Sequence, residues 1–190
     1  MAKYSILEMI RPIIKDGPDY TTPTVQWGNY LNMKKQAYGS LNSKELEAHL
    51  ISEANWMMRN QAKSCEQFRV KIRIGDICYI DFGPAYVNEA GFQHFGLVLS
   101  MMNSKAFVVP MTSNSATYKQ AYDAYDYPLG KRHLMRLGLI HGMNKESALF
   151  LNDCKYINTA RIIDVKAHLD PEEDLFKSIK QRVLECLVEP

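Results

Sequence analysis

No stretch of this 190-residue sequence stays apolar for long. Apolar runs such as residues 96–99 and 107–109 fall far short of the roughly 20 apolar residues that a membrane-crossing helix requires. The first residues, MAKYSILEMIRPIIKDG, have no long apolar core and no small-residue cleavage site, which argues against a secretory signal. Cysteine is scarce and scattered. The four residues Cys65, Cys78, Cys154 and Cys186 show no CxxC spacing and no histidines at finger distances, so neither a zinc site nor a disulfide framework is expected. Reduced thiols in a cytoplasmic protein are the reading that remains. Charge of one sign is also missing. The formal net charge is +2, and no segment is strongly polarised, so any RNA contact must come from a local basic surface. Low-complexity tracts and internal repeats are absent, and no cofactor signature is present.

What is there divides into two parts. Residues 1–41 carry Pro12, Pro18 and Pro23, and the proline content predicts extended segment and turn rather than long helix. Asn42 with Glu45 three residues on fits a capping box, and Ser43 is a rival cap. Leu46, Leu50, Ala54 and Met57 then repeat at helical spacing, giving an amphipathic helix over about residues 43–63. Residues 1–69 therefore read as an N-terminal extension. From Val70 onward the signal is β. Val70, Ile72 and Ile74 alternate with charged residues, and GDICYIDFG follows as a strand between glycines. Residues 83–93 form a long loop. HFGLVLSMM and AFVVPMTS make a hairpin around Asn103-Ser104-Lys105, and residues 114–128 are loop or short helix. HLMRLGLI, SALFLNDCKYI and the stretch around Ile162 supply the later strands. Asp170, Pro171 and three acidic residues open a C-terminal helix over about 171–188, with Leu175, Ile179, Val183 and Leu187 on one stripe. The pattern predicts an α+β fold: a small, strongly curved sheet or barrel closed by a helix.

Three blocks in this region resemble the MazF/PemK toxin family. They are Gly75-Asp76-Ile77 with Asp81-Phe82-Gly83-Pro84; Gly96-Leu97-Val98-Leu99-Ser100 with Val108-Val109-Pro110-Met111-Thr112-Ser113; and Ser147-Ala148-Leu149-Phe150-Leu151 with Lys155-Tyr156-Ile157 and Ala160-Arg161-Ile162-Ile163. The resemblance covers about residues 70–165. It implies an SH3-like β-barrel of the MazF/PemK/CcdB kind, over residues 70–190 with the C-terminal helix. It also implies a homodimer, metal-independent cleavage of single-stranded RNA, and neutralisation by a small antitoxin protein. The chain departs from the pattern at one place that matters. Where the family usually has an Arg before its second strand, this sequence has His94-Phe95-Gly96. The acidic residue common in the late strand falls on Asn152, with Asp153 next, and a family Arg maps to Lys155.

Metal-free RNA cleavage needs a base for the 2′-hydroxyl, donors to the phosphorane and an acid for the leaving oxygen. His94 is the candidate acid/base, because imidazole titrates near neutrality. Thr112 is the candidate hydroxyl donor, and Lys155 or Arg132 the charge stabiliser. Thr112 and Ser113 either bind phosphate or end the strand through local hydrogen bonds. Arg132, His133 and Arg136 either contact RNA phosphates or protect a strand edge with charge. Tyr118 either stacks a base or covers the core. Glu89, in the loop before His94, either pairs with a cation near the groove or is plain surface charge. A barrel that binds a nucleic acid or protein partner without cutting is the alternative.

Overall fold

A computed structural model describes residues 23–188. The chain divides into two compact units, one ending at Glu47 and the other beginning at Ala48. Helix α1 spans Pro23–Tyr38, where the sequence predicts extended chain. The physical reason is Pro23, which stands at the first helical position, where a missing N–H removes no helical hydrogen bond. Pro12 and Pro18 lie outside the described residues. Within α1 the Trp27 and Tyr30 rings stack at 5.5 Å, and the Lys34 ammonium lies 5.9 Å and 5.2 Å from the Tyr30 and Tyr38 rings. These are contacts between helical neighbours three and four residues apart.

Helix α2 spans Ser43–Arg59. Its expected capping box is present: the Glu45 N–H donates to Asn42 Oδ1 and the Asn42 N–H to Glu45 Oε2, both at 3.0 Å. The helix stops short of the expected residue 63. Asn60 ends it, its side-chain amide donating to the carbonyls of Trp56 and Met57.

The strands are β1 (Asp76–Asp81), β2 (Gln93–Met102), β3 (Lys105–Thr112), β4 (Ala121–Tyr122), β5 (Lys131–Gly138), β6 (Ser147–Phe150), β7 (Lys155–Asn158) and β8 (Ile162–His168), with a short helix α3 (Ser115–Gln120) and the C-terminal helix α4 (Asp174–Val188). The sheet runs β4-β5-β6-β3-β2-β1-β8, with β7 also on β3. The first half of β3 pairs with β7 and its end with β6. Strands β8-β1-β2-β3-β7 therefore form a run whose two ends are joined by a single 3₁₀ turn, Thr159–Arg161. That closure makes an SH3-like barrel, and with the helices kept off an almost wholly antiparallel sheet the class is α+β, as the sequence predicts.

Alternation along the strands sorts the core into two faces. Cys78, Ile80, Val98, Val108, Ile157 and Ile162 fill the barrel, together with Cys65 from the segment after α2. Leu97, Val109 and Leu149 face outward under Phe176, Ile179 and Val183 of α4. Burying each such side chain contributes about 1.5–3 kcal/mol, enough to fix α4 against the barrel. The hairpin turn is Asn103-Ser104, both at positive φ (47° and 62°), the geometry that matches strand twist.

Two expectations need correction. Residues 70–74 form no strand, although Val70 and Ile72 do pack on the barrel core. Gly75 turns the chain at φ 93°, and Asp76 takes the Arg73 N–H at 2.8 Å, so the segment bends before it can find a partner. The single strand expected over residues 147–157 is broken by a 3₁₀ turn at Leu151–Asp153 into β6 and β7. The four thiols are free, two buried and two half-buried, and burial pushes those of Cys78 and Cys154 up to about 12.

Candidate functional site

The hairpin register organises the site. Phe95 pairs with Met111, and the same register carried one residue further sets His94 opposite Thr112. Thr112 pairs with Ala148, and Ala148 with Arg136. Directly opposed residues share a face of the sheet. His94, Thr112, Ala148 and Arg136 thus form one row across four strands, spanning three interstrand gaps, or about 14 Å. Ala148 is fully buried in a small cluster against which Tyr118 of α3 packs, so the row is covered between Thr112 and Arg136.

Each polar member has a defined local bond. His94 Nδ1 lies 2.5 Å from the Gly91 carbonyl oxygen. A carbonyl only accepts, so Nδ1 donates its hydrogen, and Nε2 is the ring nitrogen that accepts whenever the imidazole is neutral. Thr112 Oγ1 accepts the Asn114 N–H at 3.1 Å, which leaves its own O–H to donate elsewhere. Both sequence readings of Thr112 are therefore compatible: it ends the strand and still offers a donor. Arg136 uses Nε and NH2 on the Tyr118 and Lys119 carbonyls, at 3.2 Å each, and its guanidinium lies over the Tyr118 and Tyr127 rings.

Lys155 stands opposite Val108, on the same face as Thr112. Its ammonium pairs with Asp153 at 2.8 Å and lies 5.6 Å from the Phe82 ring centroid. The other Asp153 oxygen accepts the Ala90 N–H in a short hydrogen bond. Asp153 and His94 together hold the 83–92 loop at two adjacent residues, by the Ala90 N–H and the Gly91 carbonyl. The sequence marks Asp153 only as the residue beside Asn152, where the resemblance places an acidic group, and this tether depends on a loop 63 residues away in sequence.

Of the remaining sequence candidates, Tyr118 packs against the row and the others lie elsewhere. Ser113 follows β3 and is exposed. Arg132 and His133 sit at the start of β5, before its pairing with β6 begins at Leu134, and the Arg132 carbonyl is taken by Arg182 of α4 at 2.7 Å. Glu89 closes a local turn, its carboxylate accepting the Tyr86 N–H at 3.2 Å. Tyr118 donates to Glu146 at 3.3 Å; burial, and then the Glu146 charge, raise its phenol above the ordinary range.

A buried carboxylate absent from the sequence candidates lies at the end of β1. Asp81 is 2% exposed. Its Oδ1 accepts the Ser52 hydroxyl at 2.7 Å and the Gly83 N–H at 3.0 Å, and its Oδ2 accepts the Asn55 amide at 2.9 Å. Gln93 adds a donor to Ser52 at 2.7 Å. Gln93 turns toward α2, and by strand alternation its neighbour His94 turns to the opposite face. Nothing at Asp81 itself signals this role, because its partners lie 29 and 26 residues earlier.

No known family matches the chain, and no curated protein matches it. Among solved structures, the chain is similar to MazF from Deinococcus radiodurans, at 18% identity and a TM-score of 0.45, over 62% of this chain and 96% of that one. It is also similar to the toxin MazF-mt6 of Mycobacterium tuberculosis, at 9% identity and a TM-score of 0.41, over 60% of this chain and 96% of that one. A third match is an endoribonuclease from a mycobacterial species in complex with its cognate antitoxin, at 10% identity and a TM-score of 0.43, over 63% of this chain and 98% of that one.

Proposed function

We propose that this chain is a metal-independent endoribonuclease that cuts single-stranded RNA by attack of a 2′-oxygen on the adjacent phosphorus. The observation that supports the reading is the register of His94, Thr112, Ala148 and Arg136, which puts the candidate base, hydroxyl donor and cation on one face, with Tyr118 packed on Ala148 between them. His94 Nε2 takes the 2′-hydroxyl proton as the 2′-oxygen bonds phosphorus; the P–O5′ bond breaks, the leaving 5′-oxygen takes a proton from water, and a 2′,3′-cyclic phosphate remains. The imidazolium that forms keeps its Nδ1–H on the Gly91 carbonyl, a hydrogen bond that strengthens as the ring becomes charged. Thr112 donates to a phosphate oxygen, and Lys155 offsets the charge that builds on phosphorus. Arg136, about 14 Å from His94 across the row, holds a phosphate further along the strand. The sequence resemblance adds two expectations to this reading, a small antitoxin as protein partner and a homodimeric assembly.

The test uses purified protein with single-stranded RNA in EDTA, beside His94→Ala and Thr112→Ala. Site-selective cutting that falls by about 10²-fold or more in His94→Ala agrees with loss of a general base. Cutting that survives both substitutions unchanged rules the site out.

A further inference from the structure

A second feature, away from the His94 row, lies where the second half of α2 meets the barrel. There a cleft of about 440 Å³ is lined by residues 52–62 on one side, and by residues 81–84 and 158–161 on the other. That volume falls within the range of small-ligand sites. Two guanidinium groups stand on its walls, each hydrogen-bonded through one nitrogen, and that of Arg59 also lies 4.2 Å from the Phe68 ring centroid. Arg59 NH1 donates to the carbonyls of Ala160 at 3.2 Å and Ile162 at 2.9 Å. Arg161 NH1 donates to those of Asp81 at 3.2 Å and Phe82 at 3.1 Å. A guanidinium has five donors, and these contacts occupy NH1 alone. Neither arginine takes part in the ion pairs of the described residues.

Asp81 and Glu53 also line the cleft and equal the two guanidinium groups in number, but neither forms an ion pair with Arg59 or Arg161. Asp81 is buried, and both its oxygens are held by Ser52, Asn55 and Gly83. Glu53 is partnered as well. The third element is Trp56, whose indole is 63% exposed although it lines the same cleft. An exposed aromatic plate beside two held cations is the combination that binds unpaired nucleotides. The ring stacks on a base of any sequence, and the guanidinium groups neutralise the phosphates beside it. Phe82 joins the two regions: it lines the cleft, and its ring lies 5.6 Å from the Lys155 ammonium.

From these contacts we infer that the cleft holds a nucleotide of the single-stranded RNA, its base against Trp56 and its phosphate against Arg59 and Arg161. The inference rests on the RNA-cutting reading and extends it, giving the substrate a second anchor beyond the scissile bond. A strand anchored there is held by charge and stacking rather than by base-edge contacts, so the cleft contributes affinity and leaves the cut position to the His94 row.

The experiment measures anisotropy of a fluorescent 2′-O-methyl RNA oligonucleotide, which cannot be cleaved, with the full chain across a salt series. Trp56→Ala is the primary variant, because an exposed ring removes little from the core; Arg161→Gln is the second. Each is expected to weaken binding about tenfold, and Arg161→Gln also to lower the salt slope by about one. If the wild type cuts and binds RNA but both variants bind as it does, the cleft is not a nucleotide site while the cutting reading stands. If the wild type neither binds nor cuts, both fall together.

Discussion

The Phe82 ring lies against the bare Cα of Gly96: a Cβ built at Gly96 would stand 3.4 Å from Phe82 Cζ and 3.0 Å from Ile80 Cδ1. Gly96 sits two residues along β2 from His94, and Phe82 borders Lys155, so this contact ties the barrel core to the proposed site. Gly96→Val is expected to push the ring aside and to destabilise the protein by about 1–3 kcal/mol, the usual range for overpacking. Urea unfolding measures the loss. An unchanged midpoint would mean that the ring moves freely.

The tether on the 83–92 loop gives a second expectation. Asp153 accepts the Ala90 N–H and pairs with Lys155, so Asp153→Ala removes both contacts at once. Amide exchange at residues 85–91 should accelerate by about tenfold or more, since the opening of a loop tracks the contacts that hold it. Exchange in β2 and β3 should stay as it is. If the loop exchanges at the wild-type rate in the variant, Asp153 does not restrain it.

Gly75 provides a purely conformational test. Its φ is 93°, and a Cβ there would stand 2.1 Å from the Leu169 carbonyl oxygen. Gly75→Ala should therefore cost more than about 2 kcal/mol, combining backbone strain with a displaced strand end. Thermal unfolding monitored by circular dichroism reads the shift.

Alkaline pH acts through Cys78. Burial, with the Asp76 charge second, raises its thiol from 9.0 to about 12. The unfolded chain therefore ionises this group first, and the folded state binds the proton more tightly. Its contribution is full below pH 9 and is lost as the pH rises toward 12, at a slope of up to about 1.4 kcal/mol per pH unit. Cys78→Ala should flatten that part of the stability curve, and native Cys78 should resist alkylation at pH 8.

The elements legible in the sequence are those whose signals are local. The Asn42–Glu45 box, the Asn103-Ser104 turn and the α4 stripe each depend on residues within a few positions of one another. Helix α1 was hidden by the same residue that starts it, because proline excludes a helix interior but suits its first turn. The alternation at residues 70–74 is real, yet a strand also requires an open neighbour, and Gly75 turns the chain away first. Within the site, His94, Thr112 and Arg136 were singled out one by one. Their common row follows from register, which no spacing along the chain reveals. Asp81 lay beyond reach because its partners come from a helix whose link to the barrel is tertiary.

That link has a consequence for any attempt to isolate the barrel. Cutting the chain at residue 70 would strip Asp81 of its hydroxyl and amide donors, and would take Cys65 out of the interior. Asp81 itself would then face water and keep the Gly83 N–H, so the carboxylate is not what makes the cut costly. The loss falls on the barrel interior, where Cys65 leaves a gap beside Cys78 and Ile80.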